Sequence, residues 1–166
     1  VGYITGFLFN IPTGADVDTA ALTTSNIAFL LLGQSGSFDN GENGQPHGDF
    51  DIGAALGGNY QGGGMPQPGI ITGGSATFSF ALTGTGLGGL TAQDFLSTLS
   101  EPRGMGNPGE DFVVRFRGFE GGEGSDKVPN QGGEEPSPVP EPGTLSLLGL
   151  GLASLVARRR ARAGKK

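Results

Sequence analysis

The chain has 166 residues with 34 glycines, 11 prolines and no cysteine, which excludes long helical bundles, disulfides and thiolate metal sites. Residues 1 to 142 carry all 16 acidic groups and four of the ten basic groups, a net charge of −12, whereas residues 143 to 166 carry six basic groups and no acidic one. Residues 1 to 142 are acidic enough to repel phosphate backbones, so we expect no binding to nucleic acid.

Two segments in the first third of the chain are aromatic or branched runs between turn-rich stretches, a pattern typical of strands. They are YITGFLF at residues 3–9 and IAFLLL at residues 27–32. The second run contains no polar side chain, so we expect it to be fully buried.

Two later segments alternate apolar and polar residues, which predicts strands with one solvent-facing side. They are SATFSFALT at residues 75–83 and DFVVRFRGF at residues 111–119. In the second segment the predicted inward set is Phe112, Val114 and Phe116, and the predicted outward set is Arg115 and Arg117. Such alternation favours an antiparallel sheet.

Between these two segments, Thr91 and Asp94 have the spacing of a capping box, in which the side chain of each residue pairs with the backbone N–H of the other. The spacing predicts one short helix at about residues 92–99. The segments 33–74 and 100–110 are rich in Gly, Asn, Asp and Pro, and we expect them to be loops.

Together these patterns predict a mainly β fold, with an antiparallel β-sandwich or jelly-roll-like body at residues 1–119 and one short helix. Residues 120–138 hold little apolar surface, which predicts a disordered acidic Gly/Pro linker. We expect residues 139–166 to form a tail with a hydrophobic helix.

The apolar part of the tail runs from Leu145 to Ala157 and as a helix would reach about 20 Å, against a hydrocarbon core of roughly 30 Å. The arginines after it, Arg158 to Arg160 and Arg162, would stay on the cytoplasmic side and leave the acidic body on the other side. A spacer, a short apolar stretch and a small-residue junction are also typical of carboxy-terminal signals that are read in the membrane and removed.

The tail resembles the PEP-CTERM sorting signal of Gram-negative bacteria. The matching residues are Val139, Pro140, Glu141 and Pro142, then the Gly- and Leu-rich run, then Arg158, Arg159 and Arg160. The resemblance implies a secretory leader before Val1, transient insertion in the inner membrane, cleavage near the Pro-Glu-Pro element by an exosortase, and delivery to the cell surface or the exopolysaccharide matrix.

One loop of the body gathers oxygen-bearing side chains. Within SFDNGENGQPHGDFD at residues 37–51, the candidate ligands are Asp39, Asn43, Asp49 and Asp51. Calcium takes six to eight such oxygens, but the EF-hand spacing fails because Gly41 stands where Asp or Asn is needed and no Glu closes the loop. A solvated loop with Asx turns explains the same residues and is the interpretation we favour, with calcium as the alternative.

Three other patterns point to chemistry only weakly. GTGLGG at residues 84–89 fits the glycine spacing of dinucleotide-binding loops, but the strand before it is half polar, so we attribute it to the glycine content. His47 is the only histidine, and we expect it on the surface. Asp49 and Asp51 would lie about 7 Å apart on an extended segment, a distance that a glycosidase pair allows.

We therefore expect no catalytic residues and no required cofactor. The function that these features favour is a non-enzymatic, exported surface or exopolysaccharide-matrix protein with a structural or adhesive role. The alternative is a secreted carbohydrate-binding or carbohydrate-active protein, for which the sequence offers no tryptophan and only two tyrosines as sugar platforms.

Overall fold

Antiparallel β-sheets make up most of the structure, a computed structural model that describes residues 2–33, 38–62, 64–102, 109–119 and 124–130. All of these residues belong to one unit, Val1–Gly133. The predicted tail at 139–166, its hydrophobic helix and the last part of the predicted linker lie outside the described residues.

The described residues contain ten strands and one helix. The strands are β1 (Tyr3–Phe9), β2 (Asp16–Thr24), β3 (Phe29–Leu32), β4 (Glu42–Asn43), β5 (Asp49–Phe50), β6 (Ile52–Leu56), β7 (Ile70–Ile71), β8 (Phe78–Thr85), β9 (Phe112–Phe119) and β10 (Gly124–Pro129). The helix is α1 (Ala92–Leu96). The predicted mainly β class is confirmed, and the finer assignment to a sandwich or jelly-roll type stays a prediction.

The main sheet has the strand order β10-β9-β1-β6-β3, with β7 paired to the first residues of β1. A second sheet consists of β2 and β8, and a small third one of β4 and β5. All of the pairings are antiparallel. The register of β1 against β9 shifts between Ile4 and Gly6, a bulge that lets both halves of β1 keep their pairing.

Both faces of the main sheet are covered, because successive residues of a strand point to opposite faces and both sets are buried. One face carries the buried cluster Leu8, Leu32, Phe50, Ala55, Tyr60 and Val113. The other carries Ile11, Val17 and Ile52, with partly buried residues of β2 and β8 packed against them. The main sheet is therefore the middle of the body.

Phenylalanine rings join the main sheet to the β2-β8 sheet. The ring of Phe7 lies edge-on to that of Phe78 with 4.8 Å between centroids, and Phe9 meets Phe80 at 5.1 Å. Phe29 also meets Phe78, at 5.0 Å. Edge-to-face pairs at these distances add about 0.5–1.5 kcal/mol each beyond the area that they bury.

The capping box at the start of α1 is confirmed. A carboxylate oxygen of Asp94 accepts the backbone N–H of Thr91 at 2.6 Å and the Thr91 hydroxyl at 2.7 Å. The same bonds hold the pKa of Asp94 below its ordinary value. The helix ends at Leu96, three residues before the predicted end, and the hydroxyl of Ser97 donates to the carbonyl of Gln93 instead.

Two of the predicted strands differ from the structure in burial. The 27–32 run is not fully buried: the strand begins at Phe29, and the side chain of Ile27 is 90% exposed. In β9 the predicted sides are wrong, because Val113 and Arg115 are buried while Phe112, Val114 and Phe116 are only partly so. The reason is that both faces of the main sheet are covered. The alternation of apolar and polar residues therefore does not identify a solvent-facing side.

The predicted linker is wrong at its centre. Gly124–Pro129 forms β10, which pairs with β9 over six residues and gives the main sheet its edge. The ordered body therefore extends beyond residue 119, to Asn130 at least. Backbone pairing needs no apolar side chain, so a segment with only Val128 to bury can still complete a sheet. The sequence analysis also missed β2, which holds few large apolar residues, and β6, which lies in the segment 33–74 that was expected to be a loop.

Candidate functional site

A polar cavity of about 370 Å³ lies between the end of β1, the start of β2 and the loop at residues 38–40. Three carboxylates line it, those of Asp16, Asp39 and Asp51. Asp51 is buried, and burial raises its pKa even though two backbone N–H groups lower it; the nearby carboxylate of Asp39 raises it further. This cavity suits a cation or a polyhydroxylated ligand better than an anion.

The carboxylate of Asp51 already has two strong partners. One oxygen accepts the backbone N–H of Ile11 and the other that of Asn40, both at 2.7 Å. These bonds connect the start of β6 to the end of β1 and to the 38–40 loop. The primary task of Asp51 is therefore to hold three segments together.

The structure brings together two of the four predicted metal ligands. Asp39 and Asp51 line the same cavity, whereas Asn43 and Asp49 face each other as partners in the β4-β5 pair and do not line it. The side chain of Asn43 accepts the backbone N–H of Gln45 at 2.9 Å, an Asx turn of the predicted kind. Among the residues that the structure describes, no three His, Asp or Glu side chains come close enough to hold a metal ion. Calcium binding stays an untested alternative to the solvated loop.

Asp49 and Asp51, which distance alone allowed as a glycosidase pair, are both buried. The backbone of Asp49 pairs with that of Glu101 through two hydrogen bonds of 3.0 and 3.1 Å, which joins β5 to the segment after α1. Such burial leaves little room for a sugar between the two carboxylates.

His47 is not on the open surface as the sequence predicts, because its side chain is only 18% exposed. Its Nε2 donates to the carbonyl of Lys127 at 3.1 Å, and its Nδ1 lies 3.9 Å from a carboxylate oxygen of Glu110. The hydroxyl of Ser100 donates to the carbonyl of His47 at 2.7 Å. The residue thus joins its own loop to β10 and to the segment before β9.

Arg115 is buried inside the body, contrary to its predicted outward position. Its Nε donates to the hydroxyl of Ser125 at 3.2 Å. Its Nη1 donates to the carbonyls of Tyr60 and of Gly62, the latter at 2.8 Å. Burial lowers its pKa, and so does the neighbouring charge of Arg117. The guanidinium fastens the loop after β6 onto the face of β9.

A second cavity, of about 560 Å³, lies beside this arginine. Its lining residues are Gln45, Pro46, His47, Gln61, Arg115, Ser125, Asp126 and Lys127. The ammonium of Lys127 lies 5.4 Å from the centre of the Tyr60 ring and donates to the carbonyl of Gln45 and, at 2.9 Å, to the amide oxygen of Gln61. Burial lowers the pKa of Lys127, and Arg115 lowers it further. We call this space the basic cavity.

The sequence analysis did not predict the basic cavity, because it placed Arg115 on the solvent-facing side of its strand and Lys127 in a disordered linker. No local pattern could have located it, since its residues come from positions 45–61 and 115–127 and meet only through sheet pairing.

Two glycines of GTGLGG serve backbone packing. Gly84 has φ 153° and Gly86 has φ 71°. A Cβ on Gly84 would lie 1.9 Å from the carbonyl oxygen of Asp16, and a Cβ on Gly86 would lie 2.2 Å from that of Gly14. The chain around the end of β8 can therefore approach the start of β2 only where side chains are absent. This close approach accounts for the first two glycines of the motif without a nucleotide.

The sorting-signal residues fall outside the described residues. They are Val139, Pro140, Glu141, Pro142, Arg158, Arg159 and Arg160. Where the structure is described, it contains no helix with the length and apolar character needed to span a membrane.

Comparison with known proteins finds one match, to the family described as the PEP-CTERM protein-sorting motif, over residues 138–160. No curated protein and no solved structure matches the chain. The matched stretch contains the Pro-Glu-Pro element, the apolar run and the first three arginines of the predicted signal. The chain thus carries a PEP-CTERM protein-sorting motif, which supports its export and its processing by an exosortase.

Proposed function

We propose that this protein is a component of the cell surface or exopolysaccharide matrix of a Gram-negative bacterium, with a structural or adhesive role and no catalysis of its own. The observation that carries the proposal is the sorting motif at residues 138–160, which supports exosortase processing and surface delivery. After passing transiently through the inner membrane, the acidic body would be the part that is delivered.

The contacts of the body support a structural role. Asp51 uses both carboxylate oxygens to accept backbone N–H groups, and His47 connects its loop to β10. A general acid, base or nucleophile has to be within reach of a substrate, whereas these groups are engaged in holding loops. The charge of −12 on residues 1–142 would keep the delivered body solvated and would attract cations in a matrix.

A carbohydrate-binding or carbohydrate-active role is the second candidate. It is supported by the two polar cavities, of about 370 and 560 Å³, which have the size of ligand sites. The two candidates can be separated by exposing the purified full chain to matrix glycans. Turnover that is lost in the double variant Asp49→Asn with Asp51→Asn, provided that the variant still folds, would favour an enzyme.

The proposed function is tested by mass spectrometry of the protein recovered from the producing cell's surface. Trypsin cuts after Lys127, so the diagnostic peptide begins at Val128. We expect it to stop near Pro142 or to carry an added mass. A surface-recovered peptide that runs intact to Arg158 would show a retained tail and would contradict exosortase processing.

A matched pair of variants makes this experiment sharper. Glu141→Gln changes the acid inside the Pro-Glu-Pro element, and Glu135→Gln makes the same chemical change outside the motif. We expect the first to leave the tail attached and the second to be processed normally. Equal processing of both would mean that the acid of this element is not what the protease recognises.

A further inference from the structure

The basic cavity is unusual in a body with so many carboxylates. Two cations line it, Arg115 and Lys127, and the one acidic side chain in the same lining is Asp126. That carboxylate accepts the backbone N–H of Lys127 at 2.8 Å and is exposed. The cavity therefore has a positive lining within an acidic surface.

Arg115 is a buried cation whose hydrogen bonds go to neutral acceptors. Within the described residues, its Nε and Nη1 donate to a hydroxyl and to two carbonyls, and none of these bonds reaches a carboxylate. The donors of Nη2 take no part in them. Burying a charge without a counter-charge is costly, and an anion beside the guanidinium would reduce that cost.

Lys127 is half-buried, and its hydrogen bonds also go to neutral acceptors. Two of its three N–H donors serve neutral oxygens, those of Gln45 and Gln61, and its ammonium lies against the Tyr60 ring. Burial lowers the pKa of Lys127 and the charge of Arg115 lowers it further, since the two cations repel each other across this space. An oxyanion between them would favour the charged form of both groups and convert that repulsion into attraction.

The surroundings limit the kind of anion. A polyanion such as a nucleic acid would meet the other carboxylates of the body, so the ligand must present single, separated charges. A guanidinium recognises planar carboxylates as well as phosphates, and the amides of Gln45 and Gln61 with the hydroxyl of Ser125 offer partners for ligand hydroxyls. A space of about 560 Å³ holds a sugar ring.

We propose that the basic cavity binds the carboxylate of a uronic acid residue in an acidic polysaccharide, with Arg115 and Lys127 as the charge partners. The identification of the ligand as a polysaccharide rests on the proposed matrix function, whereas the preference for an oxyanion rests on the cavity alone. The site gives the adhesive role a defined chemical target.

The test titrates the purified full-length chain, by calorimetry at low salt, with a galactose oligomer in which one residue is galacturonate. A neutral galactose oligomer of the same length and inorganic phosphate are the comparison ligands. We expect the uronate oligomer to bind, the neutral one not to bind, and salt to weaken the binding. Binding of both oligomers with equal affinity, or of phosphate alone, would overturn the uronate assignment.

Variants locate the site. Lys127→Gln removes a lining cation and should weaken uronate binding about tenfold, while Asp126→Asn removes the repelling carboxylate and should strengthen it. Arg117→Gln removes the same charge as Lys127→Gln from a described residue outside the lining and should change the affinity much less. Melting curves establish that each variant is folded. Wild-type affinity in a folded Lys127→Gln variant would overturn the proposal.

The outcome is separable from that of the proposed function. A tail that is processed in a protein without uronate binding would reject the site and leave the matrix assignment in place. Uronate binding by a protein whose tail stays intact would support the site and reject the processing on which the matrix assignment rests.

Discussion

The carboxylate of Asp51 accepts the backbone N–H of Ile11 at 2.7 Å, although the two residues are 40 positions apart in the chain. Its second oxygen accepts the N–H of Asn40 at the same distance. A buried carboxylate with two backbone donors gives each donor a partner that water cannot supply there. The bond makes Asp51 a structural residue whatever else its cavity binds.

Replacing Asp51 tests that role. Asp51→Asn keeps the shape of the side chain but turns one acceptor into a donor, so one backbone N–H loses its partner. We expect the free energy of unfolding near neutral pH to fall by about 1–2 kcal/mol, measured by urea unfolding of the full chain. Asp39→Asn, on an exposed neighbour, should change it by less than about 0.5 kcal/mol. Equal effects of the two changes would contradict the assignment.

The raised pKa of Asp51 predicts how this difference varies with pH. The folded state keeps a proton that the unfolded chain releases at about pH 3.9. The stabilising contribution of this group is thus fully present below that pH and is lost as pH rises through the folded pKa. The gap between wild type and Asp51→Asn should widen on acidification. A gap that narrows instead would mean that the folded pKa is lowered.

The sequence pattern places Arg115 and Arg117 on the same outward side of their strand, but the two side chains differ in burial in the structure. Both donate to the carbonyl of Gly62, at 2.8 and 3.2 Å, yet Arg115 is the buried one and also reaches Tyr60 and Ser125. Arg115→Ala should lower the free energy of unfolding by about 2–4 kcal/mol, from lost packing and unpaired carbonyls. Arg117→Ala should cost about half as much or less. Chemical denaturation of both variants measures the two losses in unfolding free energy. A larger loss for Arg117→Ala than for Arg115→Ala would contradict the observed burial of Arg115.

Gly53 of β6 pairs with Leu8 of β1. A Cβ there would stand 2.1 Å from the carbonyl oxygen of Phe7, so the paired strands would have to separate. We expect Gly53→Ala to destabilise the protein by about 1–3 kcal/mol in thermal or urea unfolding. Gly88→Ala is the matched control, because a Cβ at Gly88 meets nothing within 4 Å. A control variant that loses as much stability as Gly53→Ala would show that steric contact is not the cause.

For the loop that holds Asp39, Asn43, Asp49 and Asp51, calcium binding is the untested alternative to the solvated loop that the sequence favours. If the loop binds calcium, added ion should raise the melting temperature of the full chain and a chelator should reverse the rise. Because Asp39 and Asp51 share a cavity, Asp39→Asn should reduce the rise while Asn43→Asp should not. An unchanged melting temperature at millimolar calcium would rule out calcium binding by this loop.

Some features follow from sequence because they depend on neighbours along the chain. The capping box of Thr91 and Asp94 involves residues three apart, and the strand Tyr3–Phe9 consists of consecutive aromatic and branched residues. The sorting motif at residues 138–160 is also a linear signal, so reading its letters in order is sufficient. Mainly β structure, the helix start and the sorting route were therefore predictable.

Only the tertiary structure decided which side of each strand is buried and which distant residues meet. Alternation in β9 indicates two faces but not whether both are covered, and the loop after β6 covers the face of Arg115. Likewise, β10 exists because β9 offers it a backbone edge, and nothing in its own side chains requires a strand. Pairing between separated segments therefore brings Arg115 and Lys127 to one cavity, and local patterns carry no information about such pairing.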